Sequence, residues 1–408
     1  MRWIIFILIY TLVDLYALQA IRAFSKSWWV TGIYFSVSIL IIVALYFILN
    51  SNDSTHFMQP PKNYLFGLFL AVFIPKLILV IFMFGEDVMR FFTGLYYKIS
   101  ENEEDFYLPT RRRFISTIAL GIAAIPFTSL LYGMIKGRYN FKVLQYELEF
   151  DDLPEAFDGY TLTQISDIHS GSFDNKSKIS YAVDLINEQQ SDVILFTGDL
   201  VNNVAEEMND WKGLFSTLKA KDGVYSILGN HDYGDYVKWD RKEDKVDNLN
   251  NLKDIQSEMG WDLLLNENRF IKRGDEKIAI IGVENWGENG FKQVGDLDLA
   301  CNSLDDKDFK ILLSHDPSHW KSKVKHDNRH FHLTLSGHTH GMQFGIEIPG
   351  WFKWSPIKYR YENWAGIYKE QGRYLNVNRG FGYLGYPGRV GIWPEISVIK
   401  LKRKRNNV

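Results

Sequence analysis

FHLTLSGHTH, residues 331–340, decides how the second half of this chain is read. Phe331, Leu333 and Leu335 alternate with polar neighbours as in a half-buried strand, and the run breaks near Ser336 and Gly337. It then delivers two histidines, His338 and His340. Histidine is the commonest metal-ligand side chain, but a pair alone proves little. The pair gains weight because the same construction recurs upstream.

YTLTQIS (160–166) runs into Asp167 and His169, and DVILFTG (192–198) into Asp199. GVYSILG (223–229) runs into Asn230, His231 and Asp232, and FKILLSH (309–315) ends on His315. DVILFTG is apolar throughout, as in a strand buried on both faces. Between the first two lies SKISYAVDLINEQQ (177–190), with Ile179, Val183 and Ile186 on one helical face. RFIKRGDEKIAIIGVEN (269–285) predicts a hairpin turning at Gly274-Asp275, and EISVIKLK (395–402) a closing strand. The class is α/β. In such architectures ligands bind at the carboxyl ends of strands, so five strand ends converge on one edge.

Each motif alone has a bland reading. Asp167-x-His169 occurs by chance, GNHD (229–232) makes a good turn, and a lone His315 is more often a satisfied polar residue. The ordered series within one domain is not explained that way. It resembles the calcineurin-like metallophosphoesterases, in the membrane-anchored bacterial type, whose motifs run D-x-H, G-D, G-N-H-D/E, H and G-H-x-H. Here they read DIH (167–169), GD (198–199), GNHD (229–232), SHD (314–316) and GHTH (337–340).

The resemblance covers about residues 145–402 and implies a two-layer β-sandwich flanked by helices, with two metals at its edge. It implies that Asp167, His169 and His340 hold one metal, that Asn230, His315 and His338 hold the second, and that Asp199 bridges them. A shared carboxylate offsets the repulsion of two divalent cations roughly 3.5–4 Å apart, and the pair would ionise a water for in-line attack at phosphorus. Imidazole mixed with carboxylate suits Mn, Fe, Zn or Ni better than Ca. His231 is implied to act on the leaving oxygen or the phosphoryl group, with Asp232 orienting it. Gly198, Gly229, Gly337 and Gly341 are expected to let the backbone turn sharply behind the ligands.

The first third of the chain has a different character. Apolar stretches at about 3–23, 29–49, 64–84 and 114–135 each approach or exceed the ~20 residues that cross a bilayer. Residues 1–136 are therefore expected to form a transmembrane region, and 143–403 the catalytic domain. A single cleaved leader does not explain four such segments. Asp14 and Lys76 interrupt two of them and must be paired or face a bundle interior. Arg111, Arg112 and Arg113 with Arg22 and Lys26 favour a cytoplasmic loop side, which leaves the catalytic domain extracytoplasmic on a bacterial-type inner membrane. Arg2, Lys136 and Arg138 argue the other way. TRRRFISTIALGIAAIPF also resembles a twin-arginine export signal, although three apolar spans precede it. ENEEDF (101–106) is expected to be a solvated connection.

Substrate signals are weaker. Arg379 and Arg389 stand in a Gly-rich tail where a guanidinium fork would suit phosphate or pyrophosphate; solvated surface arginines are the alternative. Trp351, Phe352 and Trp354, with Lys353 and Lys358, are expected either in the core or at the bilayer surface. The surface reading would point to a lipid-linked phosphoester. Monoester, diester and pyrophosphate cleavage share such a centre, and the alternative function is an inactive membrane sensor or scaffold. A net charge of −3 without a long basic stripe speaks against nucleic acid as partner. Cys301, the single cysteine, rules out an intramolecular disulfide framework and lacks an activating neighbour for a nucleophilic role.

Overall fold

The computed structural model describes residues 2–50, 59–100, 109–288, 290–348 and 350–404; the ENEEDF connection lies outside them. The chain divides into two compact units: residues 1–52 with 64–135, and 53–63 with 136–408.

The first unit holds four helices, α1 (Arg2–Arg22), α2 (Trp28–Leu49), α3 (Lys62–Ile99) and α4 (Pro109–Ile135). All four are long and apolar enough to cross a membrane. Small side chains at Ala17, Ala20, Ala119 and Ala123 pack with Leu79 and Met83, letting the backbones approach closely. Lys76 Nζ meets Asp14 Oδ1 and Ser38 Oγ, each at 2.5 Å, and the Tyr34 hydroxyl donates to the Asp14 carbonyl at 3.0 Å. The two charges that interrupt the apolar runs thus neutralise each other inside the bundle.

α3 is much longer than its apolar run. At 38 residues it extends about 57 Å, against ~30 Å of hydrocarbon. Glu86 and Asp87 do not end it, because Arg112 donates to both, at 3.1 and 2.7 Å, and also to Gln19. The second arginine of the export-like signal is therefore built into the bundle.

The second unit has two six-stranded sheets. Its strands are β1 (Lys142–Phe150), β2 (Thr161–Ile165), β3 (Val193–Phe196), β4 (Val224–Ser226), β5 (Trp261–Leu263), β6 (Glu267–Arg273), β7 (Glu276–Gly282), β8 (Phe309–Leu313), β9 (Leu333–Ser336), β10 (Ile346–Ile348), β11 (Phe352–Trp354), β12 (Gly366–Glu370), β13 (Arg373–Val377) and β14 (Glu395–Arg403). One sheet runs β1-β14-β2-β3-β4-β5 and the other β12-β13-β9-β8-β7-β6, while β10 and β11 pair separately. β2 to β5 are parallel to one another, as are β7, β8, β9 and β13, so each sheet aligns carboxyl ends on one side.

The faces follow from alternation. Val193 and Leu195 of β3 enter the layer between the sheets with Leu162, Ile280, Ile311 and Leu333. Ile194 and Phe196 point to the opposite side, where α5 (Lys176–Glu188) and, beyond the short α6 (Lys212–Phe215), α7 (Lys242–Glu258) supply Ile179, Val183, Ile186, Leu252 and Ile255. That double burial is why the run reads as apolar throughout. The other sheet is covered by α8 (Leu297–Ala300) and α9 (Pro317–Ser322), with Trp320 fully buried. The predicted hairpin pairs Arg273 with Glu276 across Gly274-Asp275. The closing strand β14 fills an interior position, parallel to β1 and antiparallel to β2.

Candidate metal centre

The loops after β2, β3, β4, β8 and β9 bring Asp167, His169, Asp199, Asn230, His315, His338 and His340 together. Five of these seven adopt left-handed backbone: Asp167 (φ 53°), His169 (50°), Asp199 (61°), His338 (69°) and His340 (51°). A non-glycine residue there is uncommon and costs on the order of 1 kcal/mol or more, so such a cluster marks a site that the surrounding fold over-determines. The turn chemistry supports it. Gly198 takes φ +94° against Gly229, and a Cβ on Gly337 would overlap Ser166 and Asp167. Of the four glycines expected to turn sharply, Gly198 and Gly341 have positive φ, whereas Gly229 and Gly337 serve close approach.

Two donor groups emerge, Asp167 with His169 and His340, and Asp199 with His315 and His338, each with its donor atoms within 4.8 Å of one another. In the first, His340 Nε2 lies 3.2 Å from Asp167 Oδ1 and 3.0 Å from His169 Nε2. In the second, His315 Nε2 lies 3.1 Å from Asp199 Oδ2. That same oxygen is 3.6 Å from His169 Nε2, so Asp199 reaches into both groups. Asn230 Oδ1 sits 2.8 Å from His338 Nδ1, its amide nitrogen donating outward to the Tyr236 hydroxyl at 2.8 Å.

Three of the four imidazoles have a partner behind the ring, and among the described residues His169 Nδ1 has none. His315 Nδ1 donates to the Thr197 carbonyl at 2.7 Å, which leaves Nε2 facing Asp199. His338 Nε2 meets the Tyr361 hydroxyl at 2.8 Å, and that hydroxyl lies 3.4 Å from Asp316. His340 Nδ1 faces Arg389 Nη2 at 3.4 Å. A carbonyl or hydroxyl that accepts the outer N–H fixes the ring and the nitrogen that a metal would take, as Thr197 does for His315.

The electrostatics fit a cation. Burial pushes His169 well below the usual histidine range and lowers His338, which favours the neutral ring that a metal takes as a ligand. Burial opposes charging of His315 too, but Asp199 at hydrogen-bond distance carries it up to about 10. Burial would raise Asp199 as well; the His315 and His231 imidazoles instead hold it well below the carboxylate range. A metal at Nε2 requires the neutral ring, so a cation held by this pair would displace the proton of His315. Two carboxylates, an amide oxygen and four imidazoles aimed inward make a donor set for two divalent ions of the imidazole-preferring kind.

His231 lies at the rim. Its backbone N–H donates to Asp199 Oδ1 at 2.8 Å, and its Nδ1 donates to the Asn202 carbonyl at 2.6 Å. Asp232 does not orient the ring, contrary to the expectation from sequence. Its buried carboxylate accepts backbone N–H groups from Asp199 (2.9 Å), Leu200 (2.8 Å) and Gly229 (2.8 Å), tying the β3 and β4 loops together. A carboxylate walled in by strand-end amides serves them first.

Arg379 and Arg389 are also placed differently. Arg379 pairs with Glu347 and Glu395, and Arg389, fully buried, donates to the carbonyls of Arg379, Gly380 and Gly382. Their donors are spent on the fold, and Arg389 approaches the centre only at His340 Nδ1, 3.4 Å away. Tyr361, Tyr236 and Asn202 escaped the sequence reading because nothing in a lone aromatic or amide signals such a contact. Arg360 escaped it too: exposed, its guanidinium lies 5.3 Å from the Phe291 ring, itself edge-on to His338.

Two family models match the chain. Residues 1–138 match "Probable Calcineurin-like phosphoesterase, transmembrane domain", and residues 160–342 match "Calcineurin-like phosphoesterase". A zebrafish (Danio rerio) "Transmembrane protein with metallophosphoesterase domain" is 28% identical over 69% of this chain and 62% of its own length. The chain therefore spans less than two thirds of that relative. "Uncharacterized metallophosphoesterase YkuE" of Bacillus subtilis is 27% identical, covering 72% of this chain and 98% of the relative. An "Uncharacterized metallophosphoesterase" of Helicobacter pylori is 26% identical over 77% of each.

Proposed function

The chain belongs to the calcineurin-like phosphoesterases and carries their transmembrane domain, and from that premise we propose a membrane-anchored phosphohydrolase with a two-metal centre. In this reading Asp167, His169 and His340 hold one ion, Asn230, His315 and His338 the other, and Asp199 both. The observation that carries it is the reach of Asp199 Oδ2, at 3.1 Å from one group's imidazole and 3.6 Å from the other's. Bound Mn, Fe, Zn or Ni would supply Lewis-acid polarisation of the phosphoryl oxygens and a more acidic water.

The chain's own groups do the rest. Asp199, with its Oδ1 fixed by the His231 N–H, keeps Oδ2 directed inward. His231, with Nδ1 committed to Asn202, has Nε2 left for the substrate; burial favours the neutral ring, so Nε2 must first take up a proton before the imidazolium passes it to the departing oxygen and returns to neutral. Asp232 is a positioning residue that holds the Asp199 and Asn230 loops in register. Arg360 at the rim is the guanidinium available to a phosphate. Monoester, diester and pyrophosphate substrates all suit this arrangement.

Topology follows from four successive spans, which leave the catalytic unit on the side of Arg2, Lys62, Lys136 and Arg138. Arg22, Lys26, Arg90, Lys98 and Arg111 to Arg113 fall on the other side, the larger basic set. The bias favours an extracytoplasmic catalytic unit on a cytoplasmic membrane of bacterial type. Reporter fusions near residue 140 test that side.

The test of function is hydrolysis of bis(p-nitrophenyl) phosphate by the purified full chain. Turnover should disappear with a chelator and return with Mn²⁺. A folded chain that binds no metal and turns over nothing would support the sensor reading instead.

A further inference from the structure

The segment after the last histidine motif carries an inverted polarity. In β10 the two isoleucines, Ile346 and Ile348, are exposed, while Glu347 between them turns inward and pairs with Arg379. Register places Phe352 opposite Ile348 and Lys353 opposite Glu347, and Lys353 Nζ is tied to the Ala365 carbonyl at 2.5 Å. Exposed Ile346, Ile348 and Phe352 around a half-buried carboxylate contradict the pattern water selects. Twelve large apolar side chains are exposed among the described residues of 136–408, and seven of them fall between Met342 and Tyr359. Trp351, at the hairpin tip, is 81% exposed and Tyr359 78%. A patch this concentrated marks an interaction surface.

Its place in the chain identifies the occupant. The last membrane helix ends at Ile135, and Gly137 is already buried in the catalytic unit against the Arg389 carbonyl. The first residues of β1, Lys142, Leu144 and Tyr146, line a cleft of about 590 Å³ together with Glu347, Gly350 and Lys353 of the hairpin. The hairpin thus lies beside the strand through which the chain arrives from the bilayer. Lys358 and Arg360, both exposed, flank Tyr359. Tryptophan, tyrosine and basic residues together are the composition that settles at lipid headgroups.

We propose that the β10–β11 hairpin docks the catalytic unit on the lipid bilayer, its apolar face entering the headgroup region. Met342, at the start of the patch, follows His340 by two residues, so the patch begins at the candidate metal centre. Resting on the phosphohydrolase reading above, docking there makes the substrate an amphiphilic phosphoester drawn from the bilayer.

The test uses the full chain in phosphatidylcholine–phosphatidylglycerol vesicles. Trp351→Cys and, as reference, Tyr181→Cys on α5 are labelled with an environment-sensitive fluorophore; native Cys301 is buried. Blue-shifted emission at position 351, quenched by doxyl lipids at least about twofold more than at 181, is expected. Equal, water-like emission at both positions would overturn docking. So would a shifted signal that lipid does not quench but that grows with protein density, since a second copy would then cover the patch.

For the substrate, Ile346→Asp/Ile348→Asp should keep turnover of soluble bis(p-nitrophenyl) phosphate and lose about tenfold or more on a vesicle-borne phosphoester. Equal effects on both would overturn the bilayer source. If the wild type turns over neither, the phosphohydrolase reading fails, while quenching still decides docking.

Discussion

Buried polar groups occur in both units, and they are organised on opposite principles. Within the bundle, Lys76 and Asp14 form a one-to-one pair with hydroxyls from Ser38 and Tyr34, so the cluster is neutral as it stands. At the sheet edge, two carboxylates, an amide oxygen and four imidazoles aim lone pairs at common points, and strained backbone holds them there. The first arrangement completes itself. The second asks for a cation. The difference teaches that a buried charge becomes informative when its partners are counted: balanced clusters hold a fold together, unbalanced ones are built for something else.

Removing the shared oxygen should break the sheet-edge cluster most severely. Asp199→Ala is expected to lower turnover by about 10³-fold or more and to cut bound metal, read by mass spectrometry beside a kinetic assay. His231→Asn should separate holding metal from using it. Metal content stays at the wild-type level and kcat falls by about 10²–10⁴; unchanged kcat would remove His231 from the chemistry.

The bundle cluster should respond to balance rather than presence. Lys76→Met strands a buried carboxylate and should cost about 3 kcal/mol or more, seen in thermal unfolding in detergent. Lys76→Met with Asp14→Leu removes both charges and should recover most of it. If the double variant is no better than the single, the pair does more than neutralise itself.

One strand carries the contrast at smaller scale. His338 follows the end of β9 in the candidate metal centre, and His332 precedes its start at the opposite end. His332 Nδ1 accepts the Lys310 backbone N–H at 2.9 Å and Nε2 donates to Asp152 at 2.8 Å, an arrangement that suits the neutral ring. Burial pushes its pKa down to about 4. The unfolded chain therefore binds that proton first, so this contribution is complete above pH ~6.5 and is lost as pH falls towards 4, by about 3 kcal/mol. His332→Gln should flatten the acid limb of stability against pH while leaving metal content unchanged.

Much of this was legible in the sequence because strands and metal donors leave local marks. Apolar or alternating runs ending in a serine or glycine and then a donor announced the loops at Asp167, Asp199, Asn230, His315 and His338 without tertiary knowledge. What was missed depends on where a donor goes. Arg389 has the composition of a phosphate binder, yet three backbone carbonyls absorb it. Asp232 follows His231 in sequence, but its oxygens turn towards the strand-end amides. α3 outruns its apolar segment because Arg112, on another helix, compensates Glu86 and Asp87. The β10–β11 ribbon left core and bilayer surface open, because composition does not say which way a side chain faces.

If Asp199 joins two metal sites, the metal content of the purified full chain reveals it. Elemental analysis against protein concentration should find two transition-metal ions per chain in the wild type. A folded, hydrolytically active chain carrying no such metal would contradict the account.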